Sequence, residues 1–184
     1  MPEIKSVLVY LGATMPANPI FVDAVRELGK ELATRHIKLV FGGSDEGTMT
    51  VLANAVMENG GELVGVFPKT LPERFLNKNL PEVIITEDIA QRKQEMLRLS
   101  DAALAMPGSF GTWDELFDAL ELAKVELLHG RAPKPIGLLN LNGFYDGIAL
   151  LLQRSIDEGY TTPQYKDLLR IEPTVPKLLE SLLN

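Results

Sequence analysis

There is no cysteine in this chain, and that gap removes disulfides, thiolate nucleophiles and zinc–thiolate centres together. Histidine is nearly as scarce: His36 and His129 stand far apart without ligand spacing, so no metal site is expected and both read as surface residues. Basic residues are outnumbered, 18 Lys and Arg against 25 Asp and Glu, for a formal charge of −7 and a pI near 4.9. No basic patch offsets that balance, which argues against nucleic acid and anionic membrane as partners and leaves small anions held by local donors. No apolar run reaches the roughly 18 residues of a membrane span, and the stretch from Met1 to Lys5 has no signal-peptide pattern, so a cytoplasmic protein is expected. Neither G-x-G-x-x-G nor the phosphate loop ending in G-K-[ST] occurs, which sets aside a standard NAD fold and an ATPase.

What is present is 184 residues of 46% apolar composition, enough for one sizeable core and a single domain over residues 1–184. Strand-like runs at Ser6 to Leu11, Ile37 to Val40, Leu63 to Phe67, Val83 to Thr86, Ala102 to Met106 and Pro135 to Leu139 alternate with helical patterns. The helices are expected over Pro19 to Thr34, Thr48 to Asn59, Asp88 to Ser100, Thr112 to Leu128 and Phe144 to Glu158. Leu168 to Glu172 and a short helix around Pro176 to Leu183 are expected to pad one face. This alternation predicts an α/β fold of three layers, a doubly wound, mostly parallel, Rossmann-like sheet. The polar, proline-bearing segment from Thr70 to Pro81 reads as a lid.

The chemistry gathers in the loops that follow strands. Met106-Pro107-Gly108-Ser109-Phe110-Gly111-Thr112-Trp113-Asp114-Glu115 joins a strand to a helix and plants a carboxylate one turn in. Glycines let backbone N–H groups approach an anion, the unpaired first-turn donors and the macrodipole can seat a phosphate, and Thr112 can cap the helix or bond the anion. Gly42-Gly43-Ser44-Asp45-Glu46-Gly47-Thr48-Met49 repeats the design, and Gly12-Ala13-Thr14 closes the first strand. In an open parallel sheet, ligands bind beyond the carboxyl ends of strands where the order reverses, so the three loops can converge on one nucleotide phosphate. Arg92, in Gln91-Arg92-Lys93-Gln94-Glu95, offers a planar fork for a phosphate or a developing anion, although spacing alone favours ordinary surface pairs with Asp88 and Glu95.

These segments resemble the Lonely Guy (LOG) family, whose pattern is P-G-G-x-G-T-x-x-E with an upstream G-G-G-x-x-G-x-M turn and an R-K pair between. Pro107 to Glu115, Gly42 to Met49 and Arg92-Lys93 match in that order, and the resemblance runs from Val7 to about Pro163. It implies a homodimer that hydrolyses the N-glycosidic bond of a nucleoside 5'-monophosphate to free base and ribose 5-phosphate, with no cofactor. Members are often labelled lysine decarboxylases, which implies a pyridoxal phosphate lysine, and nothing in the chain singles one out. The resemblance makes Glu115 the catalytic carboxylate and Arg92 its partner. Gly12, Thr14, Gly43, Ser44, Gly47, Lys93, Gly108, Ser109, Gly111 and Thr112 would hold the substrate and its phosphate. The alternative is a nucleotide-binding or sensing protein without turnover on the same fold.

The chain departs from the family pattern around the ligand. Ser44 and Ser109 replace glycines, Thr48 and Thr50 replace the leucine and glycine flanking the methionine, Ala90 replaces a histidine and Lys124 a glutamine. If Ser44 and Ser109 need positive φ, each costs roughly 1 kcal/mol or more; if not, their hydroxyls add donors. Base choice is expected to lie in the Thr70 to Pro81 loop and near Leu120 to Lys124.

Overall fold

A computed structural model describes residues 3–183. Seven strands form one parallel sheet: β1 (Ser6–Tyr10), β2 (Lys38–Phe41), β3 (Leu63–Pro68), β4 (Val83–Thr86), β5 (Ala102–Ala105), β6 (Ile136–Leu139) and β7 (Leu169–Glu172), in the spatial order β4-β3-β2-β1-β5-β6-β7. The helices are α1 (Pro19–Thr34), α2 (Gly47–Glu58), α3 (Ile89–Arg98), α4 (Phe110–Leu128), α5 (Asp146–Asp157) and α6 (Val175–Leu183). The near-continuous apolar strands follow from burial on both faces. Alternate residues of β1 enter two separate cores: Val7 and Val9 face α1, α2 and α6, while Leu8 and Tyr10 face α3 and α4. Leu8, Leu28, Leu104 and Leu116 are fully buried, each worth about 1.5–3 kcal/mol of transfer free energy.

Local signals set the helix limits. Asn18 Oδ1 accepts the Ile20 N–H at 3.1 Å and Pro19 fills the first turn, so α1 starts where the sequence places it. Asp88 does the same for α3, accepting the Gln91 N–H at 2.8 Å. Helix α4 begins at Phe110, two residues ahead of expectation, because Ser109 takes the extended cap conformation with φ −126° and Gly111 is absorbed into the first turn.

Two expectations change. The segment Leu168 to Glu172 is no padding: Leu169–Glu172 is the seventh strand, parallel to β6 in the register Ile136 to Leu169. Its partly exposed edge position lets Arg170 and Glu172 sit in a strand that lacks an apolar run. The expected lid, residues 70–81, lies in the 69–82 loop between β3 and β4, and this loop is fastened down. Ser44 and Leu76 form an antiparallel bridge, the Asp45 N–H donates to the Phe75 carbonyl at 2.7 Å, and the Asn77 N–H donates to the Gly43 carbonyl at 3.0 Å. Among the described residues no helix is long and apolar enough to cross a membrane.

Candidate active site

The chain steps from β1 outward through β2 and β3 to β4, then returns to place β5 on the other side of β1. The loops leaving β1 and β5 therefore part at the switch point, which opens a crevice. A cleft of about 200 Å³ lies there, lined by Gly12, Thr14, Thr48, Gly108, Ser109 and Phe144 among others. Its wall is mostly apolar, and the polar groups come from the ends of the loops.

At the start of α4 the loop is open. Ser109, Phe110 and Gly111 are exposed, and no side chain caps the helix, so its first-turn donors are left for an outside acceptor. Thr112 is buried, and a Cβ built on Gly108 would collide with its hydroxyl; only glycine lets the loop fold this closely over the threonine. Ser109 has negative φ and carries no strain.

One turn further along α4, Glu115 is 8% exposed. Arg92 reaches it from α3: its Nη1 lies 3.6 Å from Glu115 Oε1, and its Nε donates to the Val66 carbonyl at the end of β3 at 3.0 Å. Arg92 thus takes neither surface pair, since Asp88 caps α3 and Glu95 pairs with Arg98. The guanidinium lies over Gly42, where any Cβ would occupy its place. At 3.6 Å the two charges are beyond a direct hydrogen bond, and both keep capacity for a third group. Burial pushes the Glu115 carboxyl up to about 7 against the pull of Arg92, and Asp114 and Asp118 add to the rise while Lys93 opposes it.

The turn before α2 is used differently from the sequence expectation. Gly42, Gly43 and Ser44 are buried beneath the 69–82 loop, and Ser44 Oγ donates to the Phe75 carbonyl at 3.0 Å. Gly43 and Ser44 therefore brace that loop instead of facing an anion, and Ser44 has no positive φ to strain it. Gly47, at φ 53°, packs against the Ala13 carbonyl, and Thr48 Oγ1 donates to the Gly12 carbonyl at 2.5 Å, tying α2 to the β1 loop. Thr50 Oγ1 donates to Asp45 at 3.2 Å.

Lys93 also departs from its expected place against substrate. Its ammonium pairs with Asp114 at 3.1 Å and Asp118 at 3.4 Å on α4. Burial works against its charge, but the two carboxylates outweigh it and hold the ammonium above the ordinary lysine range. Ala90 is exposed on the first turn of α3, and Lys124 pairs with Glu121 at 3.0 Å on the surface of α4. Sequence reasoning passed over Tyr10, whose buried phenol is held protonated by desolvation first and then by Glu115 and Asp118. Its inward position on β1 was legible from strand alternation; its nearness to Glu115 needed the β1–β5 pairing. His36 and His129 are exposed, and among the described residues no cluster of three or more acidic, histidine or cysteine side chains could hold a metal.

A family model described as possible lysine decarboxylase matches residues 49–182. The chain is 33% identical over 181 residues to the cytokinin riboside 5'-monophosphate phosphoribohydrolase LOG3 of Arabidopsis thaliana, covering 98% of this chain and 82% of that protein. LOG7 of the same plant, named for the same activity, is 35% identical over 181 residues with the same shares covered. Among solved structures, the molybdenum cofactor binding protein of Rippkaea orientalis superposes with a TM-score of 0.70 at 20% identity, covering 100% of both chains. The Moco carrier protein of Chlamydomonas reinhardtii gives 0.67 at 23% identity over 96% of this chain and 93% of that one. These two likenesses establish the fold.

Proposed function

The chain belongs to the Lonely Guy (LOG) family, and on that premise we propose that it hydrolyses the N-glycosidic bond of a nucleoside 5'-monophosphate, releasing free base and ribose 5-phosphate. The observation that carries this reading is the buried Arg92–Glu115 pair one helical turn from the open start of α4. A turn rises about 5.4 Å, so a 5'-phosphate on the first-turn amides sets its ribose beside the carboxylate. The relatives named as cytokinin riboside 5'-monophosphate phosphoribohydrolases support the same bond and the same class of substrate.

The chemistry follows from the charges. As the C1'–N bond breaks, its electron pair leaves with the base and positive charge spreads over the ribose ring. An ionised Glu115 stabilises that charge and orients a water whose oxygen bonds to C1'. The water proton passes to Glu115, whose affinity near neutrality suits both accepting and returning it. Arg92 fixes the carboxylate and holds a ribose hydroxyl, and the departing base takes up a proton. Gly108, Gly111 and Thr112 seat the phosphate, with Gly12 and Thr14 across the crevice.

A homodimer fits the surface. Helix α5 buries none of its residues, while Leu150, Leu151 and the preceding Phe144 are exposed and Phe117 and Leu128 of α4 add to the apolar area. A second copy covers these residues in this reading, and sedimentation at micromolar concentration showing only the 20.3 kDa chain would count against it.

The activity is tested by incubating the protein separately with AMP, GMP, CMP, UMP and IMP and separating free base from ribose 5-phosphate by chromatography. Release from at least one, reduced about 10²–10⁴-fold in Glu115→Gln with binding retained, is the expected result. Unchanged release in that variant sinks the role of Glu115. Binding without release by the wild type makes the protein a nucleotide binder.

A further inference from the structure

The loop ahead of α4 is built over a phenol that the proposed reaction does not use. Tyr145, just before α5, is 2% exposed, and its hydroxyl donates to the Met106 carbonyl at 2.8 Å, across 39 positions of sequence. Met106 follows the last paired residue of β5, Ala105, so its fully buried carbonyl lies past the ladder and needs a donor from elsewhere. A phenylalanine would fill the same space, and only the oxygen meets that need.

Burial raises the Tyr145 phenol beyond the usual tyrosine range, with the Gly108 N–H and the Trp113 indole N–H opposing that rise. Trp113 Nε1 is buried with no partner in full hydrogen-bonding geometry. The tyrosine is in turn fixed from behind: its N–H donates to Asn140 Oδ1 at 2.7 Å, and Asn140 Nδ2 donates to Asp146 at 2.8 Å. Its ring stands edge-on to Phe144 at 4.8 Å. A clamp therefore runs from the end of β6, through Tyr145, to the Met106 carbonyl at the start of the loop.

We propose that Tyr145 is the positioning residue of the anion seat, its hydroxyl setting the Met106 backbone at the root of the loop so that the loop presents its amides to a phosphate. This rests on reading that loop as the phosphate seat. Tyr145 touches no substrate in this arrangement and acts through the Met106 carbonyl.

Trp113 is the single tryptophan of the chain; its ring stands edge-on to Phe110 of the loop at 5.3 Å and packs against the core cluster that holds Tyr145, so its emission reports on the loop. The test titrates inorganic phosphate and ribose 5-phosphate into wild type, Tyr145→Phe and Leu182→Ala, following Trp113 fluorescence and, independently, calorimetry. Leu182 is fully buried in α6, and its truncation is a control for lost stability alone. Tyr145→Phe is expected to weaken both anions about tenfold and to raise KM for the hydrolysed nucleotide by the same factor, with kcat within about twofold. Leu182→Ala keeps wild-type anion affinity. Unchanged anion affinity in Tyr145→Phe overturns the proposal, as does a fall in kcat with KM intact, equal weakening in Leu182→Ala, or a wild type that binds neither anion. A wild type that binds ribose 5-phosphate in a Tyr145-dependent way but releases no base leaves the positioning role standing and removes the proposed activity.

Discussion

The turn before α2 and the turn before α4 look alike in sequence, each a glycine-rich exit from a parallel strand into a helix, yet one is sealed and the other open. In the first, Gly42, Gly43 and Ser44 are buried, and the Gly43 carbonyl and the Ser44 hydroxyl meet the 69–82 loop. In the second, Ser109, Phe110 and Gly111 face solvent and no side chain caps the helix. Position in the sheet accounts for the difference. β5 lies at the switch point beside β1, where the order reverses and a crevice must open; β2 lies inside the run from β1 to β4, where the neighbouring β3 connection can close over it. The sealed turn still matters to the site, because Gly42 supplies the floor on which Arg92 rests.

The largest test of that contrast exchanges a hydrogen for a methyl in each turn. Gly42→Ala drives the Arg92 guanidinium off its seat and away from Glu115, and kcat should fall about 10²-fold with the anion affinity little changed. Gly108→Ala pushes on Thr112 and the loop, so KM should rise about tenfold while kcat holds. Steady-state kinetics on both variants separates the two outcomes. If both raise KM alone, the turns share one job and the contrast fails.

A smaller effect, read against pH, locates the proton in the pair that the sealed turn supports. Burial lifts the Glu115 carboxyl from 4.5 to about 7. In the proposed reaction the ionised form is the working one, so kcat/KM should fall tenfold per pH unit below about 7, with a slope absent from anion binding in Glu115→Gln. Stability carries the opposite sign. The folded state holds this proton more tightly than the unfolded chain, so the wild type loses stability relative to Glu115→Gln as pH rises from about 4.5 to 7, with no further change above. Thermal melts of the two proteins across that range check it, and parallel curves would place the proton elsewhere.

Much of this architecture was legible before the structure. The strand and helix alternation follows from apolar runs and 3.6-residue periodicity, and the start expected for α1 at Pro19 is where the Asn18 side chain caps it. The joint placement of Arg92 and Glu115 rested on the family resemblance, since periodicity alone left Arg92 free to pair with Asp88 or Glu95. Three features stayed hidden for physical reasons. β7 carries charge because it is an edge strand, so it lacks the apolar signature. The burial of Gly43 and Ser44 depends on a loop some 30 residues later, which no local pattern encodes. The pairing of Lys93 with Asp114 and Asp118 joins two helices through sequence separations that only the sheet order brings together.

The two serines that replace family glycines give the finest comparison, because the same substitution acts on a sealed and an open turn. Ser44→Ala removes the Oγ donor to the Phe75 carbonyl, but that carbonyl keeps the Asp45 N–H at 2.7 Å and is not orphaned. The expected cost is therefore about 1 kcal/mol, a melting shift of roughly 2–4 °C for a chain of this size, with KM unchanged. Ser109→Ala removes an exposed hydroxyl that caps nothing, so stability should hold within about 0.5 kcal/mol. Ser109 lines the cleft, and any bond its hydroxyl gives a phosphate should appear as a KM rise of about twofold to tenfold. Melting curves and KM values for the pair thus cross: one variant moves stability alone and the other moves affinity alone. A Ser44→Ala protein with raised KM and unshifted melting would mean that the buried turn opens to the ligand, and the division between brace and seat would have to be withdrawn.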